Sequence, residues 1–179
     1  MELKSIINTS EPVFQNAEKT ILVKYKYLNG KLHGESIVQN AESQIIQKVN
    51  FTEGKLHGDL TLYDKGKLKC KMPFKDGLNE GAAEHYGDDG KIIGTESYKA
   101  GRKEGPCEWC SPKGEKLFTE NYLNGKLHGE KIEYSPAGSI IRRSYYENGV
   151  LLKTREESVK KSLRNFILKF LRKIFTPKS

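Results

Sequence analysis

The sequence predicts an all-β repeat array: one elongated antiparallel sheet of about six hairpin repeats, followed by a carboxy-terminal amphipathic α-helix. Three observations carry that expectation. At six near-regularly spaced positions an aromatic residue is followed three residues later by glycine: Tyr27/Gly30, Phe51/Gly54, Phe74/Gly77, Tyr98/Gly101, Tyr122/Gly125 and Tyr146/Gly149. Successive glycines lie 24, 23, 24, 24 and 24 residues apart, and a constant interval of that size marks a repeat protein. Beyond residue 153 the apolar pattern changes to the 3.6-residue period of a helix.

The elements follow in order. Residues 1–19 are expected to form an amino-terminal segment with a degenerate half-repeat, and residues 20–153 the repeat domain. Each repeat opens on an x-Gly step, and Asn29-Gly30, Asp76-Gly77, Asn124-Gly125 and Asn148-Gly149 are candidates for type I′ hairpin turns, in which both central residues take positive φ. Five repeats carry a second glycine four residues later, Gly34, Gly58, Gly81, Gly105 and Gly129. A further turn is expected at Lys65-Gly66, Asp89-Gly90, Lys113-Gly114 and Ala137-Gly138; the first repeat has Ala41-Glu42-Ser43 there instead. Between turns, segments such as Asp59–Tyr63 and Glu130–Tyr134 alternate apolar and polar residues as half-buried strands do. Tyr63, Tyr86 and Tyr134 form a second aromatic column, with Cys110 in the matching slot.

The pattern Tyr-x-Asn-Gly-Lys-x-His-Gly, present as Tyr27–Gly34 and Tyr122–Gly129 with Phe51–Gly58 a close third copy, resembles the MORN repeat, and specifically its bacterial variant in YwqK-family antitoxin proteins. The resemblance covers about residues 20–153. It implies an elongated sheet of MORN-like hairpins that serves as a protein-binding, dimerising or membrane-associated scaffold. The YwqK likeness implies neutralisation of a partner toxin. Gly77-Leu-Asn-Glu-Gly81 and Gly101-Arg-Lys-Glu-Gly105 depart from the pattern, with glutamate replacing histidine.

Composition narrows the function classes. The chain has 179 residues, 36% of them hydrophobic, enough for one domain but not for a thick core. The net charge of +8 is unevenly placed. All 23 acidic residues precede position 158, as do all but seven of the 31 basic ones. The array is therefore nearly neutral and the tail cationic, which does not describe a nucleic-acid-binding surface. Three cysteines supply no disulfide framework and fit a reducing compartment. The start, Met-Glu-Leu-Lys-Ser-Ile-Ile, lacks the features of a secretory signal, and no run approaches the length of a transmembrane helix. The expected location is the cytoplasm, peripheral to the cytoplasmic face of the membrane.

Candidate chemistry is sparse. His33, His57 and His128 each stand one residue before a repeat's second glycine, a recurrence that reads as packing or hydrogen bonding and not as a catalytic group. Cys107-Glu-Trp-Cys110 matches C-x-x-C, but positions i and i+3 of a strand point to opposite faces and cannot share a metal without a turn. Asp88-Asp89 precede Gly90 and suit a turn. No triad order, P-loop or dinucleotide fingerprint is present. No catalytic, cofactor or metal site is expected, and the chain reads as a non-enzyme.

The tail, residues 154–179, is expected to be a basic amphipathic helix. Leu163, Phe166, Ile167, Phe170, Leu171, Ile174 and Phe175 continue one stripe from Val159, while Lys160, Lys161, Arg164, Lys169, Arg172 and Lys173 fill the opposite side. Thr154-Arg-Glu-Glu157 offers a capping box and Pro177 a stop. Such a helix is suited to an anionic lipid surface, where each cation contributes about 1 kcal/mol. The alternative is a soluble antitoxin or immunity protein whose helix only caps the last hairpin or grips its partner. The expected partners are therefore a protein, with a toxin as one candidate, and an anionic membrane. An array with exposed edge strands is also open to oligomerisation.

Overall fold

The computed structural model describes the backbone of residues 7–10, 13–16 and 19–157, with side chains from Leu22 onward. The described residues form one 18-stranded sheet. In chain order the strands are β1 (Ile7–Ser10), β2 (Val13–Asn16), β3 (Lys19–Leu28), β4 (Lys31–Leu32), β5 (Gly34–Gln39) and β6 (Ile45–Thr52). There follow β7 (Lys55–Leu56), β8 (Gly58–Asp64), β9 (Lys67–Lys75), β10 (Leu78–Asn79), β11 (Gly81–Tyr86) and β12 (Ile92–Lys99). The last are β13 (Arg102–Cys110), β14 (Lys116–Leu123), β15 (Lys126–Leu127), β16 (Gly129–Tyr134), β17 (Ile140–Glu147) and β18 (Val150–Glu156). Every pairing is antiparallel and joins strands that are next or next but one in sequence, so the chain meanders sideways from β1 and β2, which share the same side of β3, to β18.

The hairpin turns explain the glycine spacing. Asn29 and Gly30 have φ of 51° and 76°, the type I′ geometry whose twist matches that of the flanking strands. All six x-Gly steps share it, including Glu53-Gly54 and Ala100-Gly101, whose first residues accept positive φ without being asparagine or aspartate. The opposite turns are of two kinds. In four of them a longer loop closes, as where the Ser111 N–H donates to Glu115 O and the Gly114 N–H to Ser111 O. Ser43, at φ 60°, fills the left-handed position in the first repeat. Lys65-Gly66 is instead a second two-residue turn, with Asp64 paired to Lys67. That loop is one residue shorter, which accounts for the single 23-residue interval.

The second glycine of each repeat sits at a bulge. Between the Tyr27↔Leu32 and Leu22↔Gln39 pairs, β3 advances five residues while its partner advances seven. Gly34 takes φ 78° in this step, and the His33 N–H bonds Lys26 O at 2.9 Å. A β-carbon is disfavoured in that left-handed conformation. The bulge also turns the short strand toward the next repeat. The Gly54 N–H donates to Leu32 O, and the same bond recurs as Gly77 to Leu56, Gly101 to Asn79, Gly125 to Lys103 and Gly149 to Leu127. The type I′ turns are thus stacked and hydrogen-bonded along one margin of the sheet.

Burial is one-sided. Among the described residues Val23, Ser36, Val49, Cys70, Ala83, Cys107 and Ser144 are the buried side chains, and cross-strand register places them all on one face, hereafter the packed face. Small residues dominate because a single layer has no second sheet to bury large ones against; its side chains shield one another.

The structure corrects one expectation. Thr154, Arg155 and Glu156 are not the start of a helix but the end of β18, paired with Ser144, Arg143 and Arg142. A capping box is worth about 1 kcal/mol, whereas here a ladder and the Arg142–Glu156 pair at 3.1 Å act together. The helix expected over the remaining tail lies outside the described residues.

Candidate interaction surface

Two rows of side chains cross the packed face. One runs through Cys70, His85, Gly94, Trp109 and Phe118 in successive cross-strand pairs. Gly94 is required here by space. A β-carbon on it would stand 2.6 Å from Trp109 Cε3, so the indole lies directly over bare backbone. His85 flanks the indole at 4.7 Å between centroids and Phe118 at 6.4 Å, within the range of favourable aromatic contact.

The second row carries charge. Ala83, Glu96, Cys107 and Glu120 are successive neighbours. Lys103 Nζ donates to Glu96 Oε1 at 2.5 Å and Tyr98 Oη to Oε2 at 2.9 Å. One repeat on, Lys131 Nζ and Tyr122 Oη do the same for Glu120. Burial opposes the Glu96 carboxylate, yet the bonds from Lys103 and Tyr98 and the charges of Lys103 and His85 outweigh it and hold its pKa below the ordinary value. Burial and the hydrogen bond to glutamate raise the Tyr98 and Tyr122 phenols. The two lysines also lie over rings, Lys103 over Tyr122 and Lys131 over Phe118, each at 5.1 Å. The glutamates, lysines and tyrosines satisfy one another and so stiffen the face, while His85 Nε2, 3.5 Å from Glu96 Oε2, is buried without a hydrogen bond among the described residues.

The repeated histidine slot lies at the stacked turns. His57 Nδ1 stands 3.6 Å from Asp76 of the next turn. Where histidine is replaced, Glu80 Oε2 accepts the N–H of Ala100 at 2.7 Å and Glu104 Oε2 that of Asn124 at 2.6 Å. His57, Glu80 and Glu104 thus each reach the first residue of the following turn by different chemistry, whereas His33 Nδ1 and His128 Nδ1 are buried without a hydrogen-bond partner among the described residues. Acidic turn residues, Glu53 and Asp76, follow His33 and His57, and neutral ones follow the glutamates (Ala100 and Asn124) and His128 (Asn148).

All three cysteines are free. Cys107 is buried on the packed face and burial raises its pKa. Cys110 Sγ instead approaches Glu108 Oε1 at 3.9 Å on the other face. That slot is shared with Tyr86, which hydrogen-bonds Glu84 and whose pKa is pushed up to about 12, chiefly by that bond. Among the described residues no group of three or more His, Cys, Asp or Glu side chains is placed to hold a metal ion. An open depression of about 340 Å³ lies at the Ala100-Gly101 turn, lined by Lys99, Arg102, Glu104 and Asn124.

The residues singled out in the sequence divide cleanly. The repeat aromatics follow the packed face: Tyr98 and Tyr122 take part in its hydrogen bonds, and the repeat glycines form the turns and bulges. The tail residues assigned to lipid, from Lys160 to Phe175, lie outside the described residues. Sequence reasoning missed Gly94, Glu96 and Glu120. A signal existed for the glutamates, since Glu96-Ser-Tyr98 and Glu120-Asn-Tyr122 repeat the same spacing. A last surface feature is the end of the array: Val150, Leu151 and Leu152 of β18 are 63%, 51% and 61% exposed.

A match to a family model agrees with the repeat architecture. The family model described as a MORN repeat variant matches residues 127–148 and 140–156, the last repeats of the array. No curated protein matches the chain. Among solved structures, the Glycosylation Associate Protein (Gap123) complex from Streptococcus agalactiae aligns at 18% identity and a TM-score of 0.35. The alignment covers 70% of this chain and 26% of that one, so this chain spans about a quarter of the other's length.

Proposed function

We propose that this chain is a non-enzymatic MORN-type β-repeat scaffold that binds a protein partner and associates peripherally with an anionic membrane through its basic tail. The observation that carries the reading is the division of charge. Within the array, carboxylates and cations pair across neighbouring strands, as in Lys71–Asp59, Lys103–Glu96, Lys131–Glu120 and Arg143–Glu130. Residues 158–179 hold seven cations and no acid, beside an apolar stripe at helical spacing. Near an anionic leaflet those cations contribute several kcal/mol at about 1 kcal/mol each. The sheet meanwhile offers two open faces to a protein partner.

Flotation with neutral and anionic liposomes tests the tail. The comparison is between the full chain and a version ending at Glu157, which keeps β18 whole. Salt-sensitive binding to anionic vesicles alone is expected, and it should vanish on truncation. Equal behaviour of the two proteins would remove the membrane from the proposal. The Tyr27–Gly34 and Tyr122–Gly129 motifs favour a second reading, a soluble antitoxin or immunity protein whose tail caps the sheet or grips a toxin. Co-expression with candidate toxins from neighbouring genes tests that reading, and absence of growth rescue throughout would count against it.

A further inference from the structure

The last repeat is built differently from the five before it. Each earlier repeat receives the next turn: the carbonyl two residues after the turn glycine accepts the next glycine's N–H, and in three of the five the residue after it, His57, Glu80 or Glu104, also reaches that turn. After Gly149 the corresponding residues are Leu151 and Leu152, preceded by Val150, and no second glycine follows. Leu152 occupies the slot of His33, His57, Glu80, Glu104 and His128. An apolar residue there is unsuited to clamp another polar turn. It is suited to an apolar cover.

We propose that the tail stripe within residues 159–175 folds back along the outer edge of β18, where Val150, Leu151 and Leu152 emerge on both faces, and that an anionic membrane competes for the same stripe. The competition rests on the membrane reading above; the self-docking does not. Reach and continuity support the occupant. The stripe begins two residues after Glu157, whose N–H bonds Ile141 O at 2.9 Å. In helical form it extends about 25 Å, and seven-residue β18 about 23 Å, so a returning segment has the length to arrive at Val150. Covalent attachment holds it at an effective concentration on the order of mM, an advantage that a second copy of the chain lacks. Leu163, Phe166 and Phe170 then leave water together with a strand edge that is itself exposed.

Hydrogen exchange of the β18 amides, read in the full chain, tests this. Three proteins are compared: wild type, Leu152→Asp and the double variant Phe166→Asp/Phe170→Asp. Trp109 fluorescence reports that the packed face is intact in each. Exchange across β18 is expected to accelerate at least about tenfold in both variants, because the opening free energy of that edge falls. Unchanged exchange in the tail variant overturns the proposal. So does β18 protection in wild type that fades on dilution, since a second copy would then be the cover. Adding anionic vesicles to wild type should expose β18. Vesicles that bind the protein while β18 stays protected overturn the competition. Failure of every protein to bind vesicles refutes the membrane reading while leaving the lipid-free comparison intact as a test of docking.

Discussion

Gly94 shows how much one residue decides in a single-layer sheet. Its φ is not in the left-handed region that the turn glycines use; what it supplies is room for Trp109. Gly94→Ala is therefore expected to displace the indole and cost about 1–3 kcal/mol, as overpacking does. A shift of Trp109 emission together with a lower denaturation midpoint would show it, and an unmoved emission spectrum would contradict it. Glu96 gives a prediction in pH. Its folded pKa lies below the ordinary 4.5, so its contribution is complete above that value and is lost as pH falls through the lower folded value. Glu96→Gln should lower the melting temperature at neutral pH, and the gap to wild type should close as the solution is acidified below about pH 4. A gap that stays constant down to pH 3 would mean the carboxylate's charge is not what matters.

At the scale of the repeat, the turn clamp is the informative element. His57, Glu80 and Glu104 occupy one slot and reach the next turn by different means, so at these repeats the slot is defined by what it touches. Glu104→Ala leaves the Asn124 N–H without its acceptor and is expected to cost about 0.5–1.5 kcal/mol. Glu104→Gln keeps an acceptor and should recover most of that. Denaturant titration of both variants checks the pair; equal losses would show that the hydrogen bond contributes nothing. Loop length is likewise local. The short Lys65-Gly66 turn changes the repeat by one residue without disturbing the stack of type I′ turns, because the two margins of the sheet are closed independently.

For the whole molecule, contact lies between adjacent strands, from Ile7 to Glu157. Stability of such an array is a sum of repeat and neighbour terms, and its ends are its weak points. The two ends differ. At the amino-terminal margin β1 and β2 pair along β3. At the other, β18 presents three consecutive apolar residues beside the cationic tail. Membrane attachment and self-capping both belong to this scale, since each asks where one segment goes relative to the whole sheet.

Periodicity by itself determined the repeat architecture, the six hairpin positions and the antiparallel meander. Those follow from glycine geometry and strand alternation, which are local and repeat with the sequence. The separation of Cys107 from Cys110 was legible for the same reason. Cross-strand partners were not: the seat of Trp109 on Gly94 and the shared lysine bonds of Glu96 and Glu120 depend on register across bulges. The equivalence of His57 with Glu80 and Glu104 was hidden too, because it lies in a contact with the next turn and not in residue type. Thr154–Glu156 show the same division from the other side. Their local signal favoured a helix start, and pairing with β17 overrode it, because strand pairing joins residues that are distant along the chain.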